Sequence, residues 1–458
     1  MRHTKFALAA MTLAVLAGCG GTDPKPGDQT IKVKYSSQVS FGDSLSDVGS
    51  YAVGTVALLK GGKFTINGDN TAVASTLTGK NWTELVAAQL GVAVPCAAVT
   101  GLDGDASKGF SVPQVAHAGC YGYAQGGSRV TNPVGPGNKL TGSPLGALTI
   151  PVVTQVANHL KAIGGKFKGD EMVFVMAGGN DALFLLTKLG DDATAAGTAA
   201  GGAAYVTSLV GQLAAGATDP ASAAAAIGLA AQTEAAKPGS TQTTITMAAV
   251  GAAAIQPGNS AVASQAVWGP MTVKAGADAT AAGAKAGADY AAAHGPELVA
   301  AMTTAGTELA NLVKTQIVAN GANYVTVNNL PDVATTPKGR SLPASTQALI
   351  NAMVSAFNGA LSTGLASESK VLIVDVFAVS HDQATNPGPY GLTNVSETAC
   401  DLSTAKNPLA SSLVCNAGNL KAGDVSHWSF ADDVHPTPFN NLLLARYVAE
   451  KLVVKGWL

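Results

Sequence analysis

Three short runs, Met172–Met176, Tyr324–Val327 and Val371–Val376, are dominated by apolar residues and bounded by loop residues. Runs of this kind need cover on both faces, which marks buried parallel strands and leaves few folds open to the chain. A fourth run, Gln38–Phe41, leads straight into Gly42. Between and after the runs, apolar residues recur at helical spacing, as in Trp82, Leu85, Val86 and Leu90, or Leu309, Leu312, Val313 and Ile317. Strands alternating with helices predict an α/β fold of three layers, helices covering both faces of a parallel sheet. A last helix is expected after Pro436, running through Leu442, Leu443, Leu444, Tyr447 and Val448 towards Lys455.

From about 191 to about 293 the pattern gives way to long Ala and Gly tracts with few aromatics, which reads as an insertion. Alanine favours helix and glycine opposes it, so short helices joined by mobile links, without a well-filled core, are expected. Such a segment acts either as a cap over the site or contact surface for a bulky substrate, or as a solvated spacer.

The chain opens with Arg2 and Lys5, an apolar run from Phe6 to Leu16, and then Ala17, Gly18 and Cys19, the layout of a secretory signal over residues 1–18. Leu16-Ala17-Gly18-Cys19 resembles a bacterial lipobox, which would make Cys19 a lipid attachment site; ordinary signal cleavage is the alternative. Residues 19–35 then form a flexible tether, and 36–458 the folded domain. No later stretch offers about 18 apolar residues free of charge, so membrane association is expected through Cys19 alone. The expectation is an exported bacterial protein, either an outer-membrane or cell-surface lipoprotein or a secreted one.

Cys96, Cys120, Cys400 and Cys415 remain, an even number in a chain that enters an oxidising compartment, and disulfides are expected. Pairing Cys96 with Cys120 and Cys400 with Cys415 closes the two shortest loops. No Cys-x-x-Cys or paired-histidine spacing supports a metal site. A net charge of -2 with 12% charged residues argues against nucleic acid as a partner.

Four separated blocks carry chemistry. Phe41-Gly42-Asp43-Ser44-Leu45-Ser46-Asp47 follows the first strand and places Ser44 at a strand's carboxyl end, where open α/β sheets collect their active sites. Tyr123-Ala124-Gln125-Gly126-Gly127-Ser128-Arg129 has a glycine pair whose backbone N–H groups can approach a reacting oxygen. Ala177-Gly178-Gly179-Asn180-Asp181 ends another strand, so Asn180 can project its amide into the same crevice. Phe430-Ala431-Asp432-Asp433-Val434-His435-Pro436-Thr437 sets an Asp three residues ahead of a His. That Asp can fold back to accept the imidazole Nδ1–H and leave Nε2 free for a serine proton. Asp432 fits this spacing better than Asp433. His427 reads as a loop histidine, and His117, His159, His294 and His381 as structural or exposed ones.

Together these blocks resemble the SGNH (GDSL) hydrolase family, in its bacterial secreted esterase and phospholipase branch. Asn328-Asn329-Leu330-Pro331-Asp332, Phe357-Asn358 and Asp375-Val376-Phe377 resemble further segments of that branch. The resemblance implies a flavodoxin-like α/β/α sandwich with the Ala/Gly-rich insertion added, and acyl-ester hydrolysis without a cofactor. It makes Ser44 the nucleophile, Asp432 and His435 the acid and base, and Ser44, Gly127 and Asn180 the oxyanion donors. Gly127 is preferred to Gly126 because it lies three residues after Ala124. Ser50 stands where related branches often carry asparagine.

The substrate is then expected to be a lipid-like or otherwise insoluble acyl ester: a triglyceride, a phospholipid or lysophospholipid, a polyester or an acetylated polysaccharide. Trp82, Trp428 and the insertion are candidates for an acyl pocket, although Trp82 on its helical stripe reads as core. A disabled scaffold used for surface binding is the competing class.

Overall fold

The computed structural model describes residues 33–68 and 79–458; the signal segment, Cys19 and most of the tether lie outside the described residues. The main elements are, in chain order, β1 (Ser37–Gly42), α1 (Trp82–Leu90), β2 (Val99–Asp103), β3 (Ser111–Ala116), α2 (Val152–Ala162), β4 (Glu171–Met176), α3 (Gly179–Ala214), α4 (Pro220–Ala235), α5 (Gln242–Ala254), α6 (Gln265–Leu312), β5 (Tyr324–Asn328), α7 (Ala344–Leu365), β6 (Val371–Val374), α8 (Val376–Thr385), β7 (Asn394–Thr398), β8 (Trp428–Phe430) and α9 (Pro438–Lys455).

Four strands form a parallel sheet in the order β1-β4-β5-β6, with Phe41 opposite Val175, Val173 opposite Val325 and Val327 opposite Ile373. Outside β1, the stretch Tyr121–Tyr123 extends it: the Ser40 N–H donates to the Tyr121 carbonyl (3.0 Å) and the Tyr123 N–H to the Ser40 carbonyl (2.8 Å). In chain order the sheet therefore reads second, first, third, fourth, fifth. Winding reverses at β1, so a crevice opens beyond the carboxyl ends of β1 and β4.

Alternation along the strands feeds two cores. Val39, Phe41, Val173, Val175, Val325 and Val327 face α2, the end of α6 and α7. Met172, Phe174, Met176 and Val374 face Trp82 and Val86 of α1 and Val448 and Leu452 of α9. The third apolar run ends earlier than its composition suggests. Asp375 accepts the Ala378 N–H (3.1 Å) and caps α8, so Val376 starts a helix instead of ending a strand. By length and composition α7 could cross a membrane, but its Ile350, Met353, Val354, Phe357 and Leu361 are buried in the core. The cysteines pair as Cys96–Cys120 and Cys400–Cys415.

The Ala/Gly-rich segment departs from expectation. Instead of short, linked helices it forms two long ones, α3 of 36 residues and α6 of 48, crossing over from β4 to β5 with α4 and α5 at the far end. It also has an apolar cluster of its own, including Tyr205, Leu209, Leu213, Ile227 and Val250. Glycine supplies the reason: a Cβ on Gly197 would stand 2.8 Å from the Gly283 carbonyl, and one on Gly201 3.0 Å from that of Ala279. Bare backbones let the helices approach closely, and that packing offsets the weak helix propensity of glycine.

His159 of α2 is fully buried among the rings of Phe41, Tyr121, Tyr123 and Phe167, with centroids 4.9–5.6 Å away. Neither ring nitrogen has a hydrogen-bond partner among the described residues. Burial, helped by the charge of Lys168, pushes its pKa down to about 4. An unfolded chain takes up this proton near the ordinary value of 6.5, so the stability held by neutral His159 is complete above that pH and drains away towards pH 4. The loss is about 3 kcal/mol. His159→Phe is expected to flatten the acid side of a thermal-unfolding series between pH 4 and 7; an unchanged slope would assign it to other groups.

Candidate active site

The nucleophile candidate sits where β1 ends. Gly42 adopts φ +150°, and a Cβ there would overlap the carbonyl oxygen of Met176, so only glycine lets the chain turn this close to β4. Ser44 follows at the start of a short 3-10 turn capped by Asp43, whose carboxylate accepts the Leu45 N–H (3.1 Å). A buried Gln155 from α2 brackets the turn, accepting the Gly42 N–H and donating to the Gly42 carbonyl, both at 2.8 Å. Gln155 had no signal in the sequence.

His435 Nε2 stands 2.8 Å from Ser44 Oγ, and His435 Nδ1 lies 2.8 and 2.9 Å from the two oxygens of Asp432. The Asp432 carboxylate also accepts backbone N–H groups from Ser412 (2.8 Å), Val434 (3.0 Å) and His435 (2.8 Å). Burial opposes its charge, but His435 and these donors prevail and hold its carboxyl far below the usual range. Burial likewise opposes a charge on His435, and Asp432 outweighs it, so the imidazole pKa is raised. Ser412 lies in the loop closed by Cys400–Cys415, which ties that disulfide to the carboxylate. Asp433 makes no hydrogen bond to His435; its backbone carbonyl accepts the Lys338 N–H (2.9 Å). The Phe64 ring lies tilted against His435, with centroids 4.9 Å apart.

The glycine block lies across the cleft. Gly127 has φ +79°, and a Cβ there would overlap the Pro136 carbonyl oxygen. Its N–H, like that of Ser44, has no acceptor among the described residues. Asn180 lies in the first turn of α3 and spends one amide hydrogen on the Ser128 carbonyl (2.9 Å). Three buried links hold the blocks in register. Asp47 accepts the Gly126 N–H (2.9 Å), the Ser50 N–H (2.7 Å) and the Ser50 hydroxyl (2.6 Å), so Ser50 braces the carboxylate that holds the glycine loop. Tyr51 donates to the Gly126 carbonyl (2.7 Å). Arg129 pairs with Asp181 (Nε–Oδ1 3.0 Å), whose other oxygen accepts the Val130 N–H (3.0 Å).

Ser44, Gly127, Asn180 and His435 line one cleft of about 320 Å³, with Phe64, Leu183 and Leu330 among its apolar walls. Three candidates for an acyl pocket do not line it. Among the described residues, none from 191–293 lines the cleft, because α3 leaves it at Leu183 and carries the insertion away. Trp82 is buried in the core against Phe174, as its place on a helical stripe implied, and Trp428 lies on β8; neither lines the cleft. The other histidines stand apart: His427 by Ser426 (2.9 Å), His117 by Thr100 (2.8 Å), His294 by Glu297 (3.0 Å) and His381 by Asp332 (2.7 Å).

Geometrically the site holds a hydroxyl, an imidazole and a carboxylate in series beside two unused backbone donors and a side-chain amide. A scan against protein-family models finds no match, and a search of curated proteins finds no significant relative.

Proposed function

We propose that this protein is a serine hydrolase of carboxylic esters, of the SGNH (GDSL) type on a flavodoxin-like core. The unbroken series Ser44 Oγ, His435 Nε2 at 2.8 Å and Asp432 on Nδ1 is the observation that carries the reading. His435 takes the Ser44 proton as Oγ attacks the ester carbonyl, and Asp432 stabilises the imidazolium formed. The N–H groups of Ser44 and Gly127 and the amide of Asn180 receive the oxyanion. His435 protonates the departing alcohol, and water then releases the acid from the acyl-enzyme by the same steps. Each step is supplied by this chain's own groups. The sheet order, with its reversal at β1, supports the flavodoxin-like core. Two disulfides fit an oxidising compartment and so an exported protein.

A fluorophosphonate probe tests the reading. The folded chain is expected to bind it covalently, with the adduct mapping to the peptide that contains Ser44. Labelling of a different serine, or none, would refute it.

A further inference from the structure

Behind the cleft lies a second cavity of about 90 Å³, walled by β4, α8, β8 and the start of α9. Leu45, Pro331, Thr336 and Val434 line both spaces. The partition thus begins one residue from Ser44 on one side and one residue from His435 on the other. Met176, Val376, Val379 and Leu444 make the far wall apolar. Its hydroxyls are occupied within the protein: Thr335 donates to the Asp332 carbonyl (2.9 Å), Thr336 to the Val333 carbonyl (2.8 Å) and Ser380 to the Phe377 carbonyl (3.1 Å). Ser429 accepts from Asn440 (2.8 Å). Asp332, whose carboxylate pairs with His381 (2.7 Å), and the amides of Gln383 and Asn440 complete the lining, so the apolar far wall is the part that favours hydrocarbon.

We infer that this cavity receives the acyl chain of the ester, an inference that rests on the esterase reading. After the first half-reaction the alcohol must leave and water must enter, and the wide cleft serves both. The arm that stays attached to Ser44 is the acyl arm, and a narrow apolar space one residue from Ser44 suits it. At about 90 Å³, against about 320 Å³ for the cleft, it has room for the end of one short chain. The preferred substrate is therefore a short, unbranched acyl ester, roughly a hexanoate.

The test measures kcat/KM over p-nitrophenyl esters from acetate to dodecanoate. The expected profile rises about fourfold per buried methylene up to hexanoate and then levels or falls. Ala384→Phe, which fills the cavity from α8, is expected to lower the hexanoate-to-acetate ratio at least tenfold, and Val379→Ala to move the optimum to a longer chain. Active-site titration with the fluorophosphonate corrects each variant for its folded fraction. A ratio unmoved by both variants would overturn the inference, as would Ala384→Phe reshaping the profile of alkyl acetates with alcohol length instead. Esters cleaved with a flat acyl profile refute the cavity alone; no cleavage and no labelling refute the esterase reading beneath it.

Discussion

Asp432→Asn is expected to lower kcat on a short p-nitrophenyl ester by about four orders of magnitude while leaving the fold intact. The size of the effect follows from the donors around the carboxylate. Both of its oxygens accept backbone N–H groups, from Ser412 on one side and from Val434 and His435 on the other, and both stand within 2.9 Å of His435 Nδ1. An asparagine keeps only one acceptor oxygen. If that oxygen stays with Val434 and His435, the amide nitrogen faces Nδ1 and donates to it. The proton of a neutral imidazole then sits on Nε2, opposite Ser44, where a base must have none. The pH profile gives a second reading of the same contact. Because Asp432 raises the His435 pKa, activity of the wild type should fail, as pH drops, at a value above the ordinary 6.5. In the variant that limb should move to lower pH. Asp433→Asn, whose side chain does not reach the imidazole, should cost less than about tenfold. A larger loss from Asp433→Asn than from Asp432→Asn would reverse the assignment.

The residues that meet at Ser44 were legible because each lies in a short string whose spacing is itself the constraint. An Asp three residues before a His can fold back on it, as Asp432 does on His435 while Asp424 turns to the Ser426 N–H instead of His427, and a serine after a buried strand lands at a carboxyl end. The partners that hold these strings together were not legible. Gln155 reaches Gly42 across 113 residues, Arg129 finds Asp181 across 52, and Ser412 caps Asp432 from inside a disulfide loop. No local pattern announces such contacts; the sheet's winding creates them. The strand boundary at Val374 was misread because an apolar run does not show where an Asp cap begins a helix. The insertion shows the opposite error. Its composition suggested a poor core, yet Gly197 and Gly201 on α3, and Gly283 and Gly287 on α6, recur at intervals of four, the interval that puts residues on one helix face. That spacing was available to predict two long helices in close contact.

Asn180→Ala should separate transition-state stabilisation from binding more sharply than any other substitution in the cleft. Asn180 is 6% exposed and lines the wall near Gly127, with one amide hydrogen committed to the Ser128 carbonyl. That tie fixes the plane of the amide, so its second hydrogen is oriented before substrate arrives and need not be ordered during the reaction. A ground-state carbonyl gains little from such a donor; the charge that develops as Ser44 adds to it gains much more. Removing one donor of this kind costs about 2.7–4 kcal/mol, so kcat should fall by two to three orders of magnitude with KM changed only a few-fold. The Ser44–His435–Asp432 contacts do not pass through Asn180, so fluorophosphonate labelling should persist at a lower rate. Retention of full kcat in Asn180→Ala would leave the two backbone N–H groups as the whole oxyanion site. A rise in KM at constant kcat would instead make Asn180 a binder of ground-state substrate, and either result would remove it from the catalytic set.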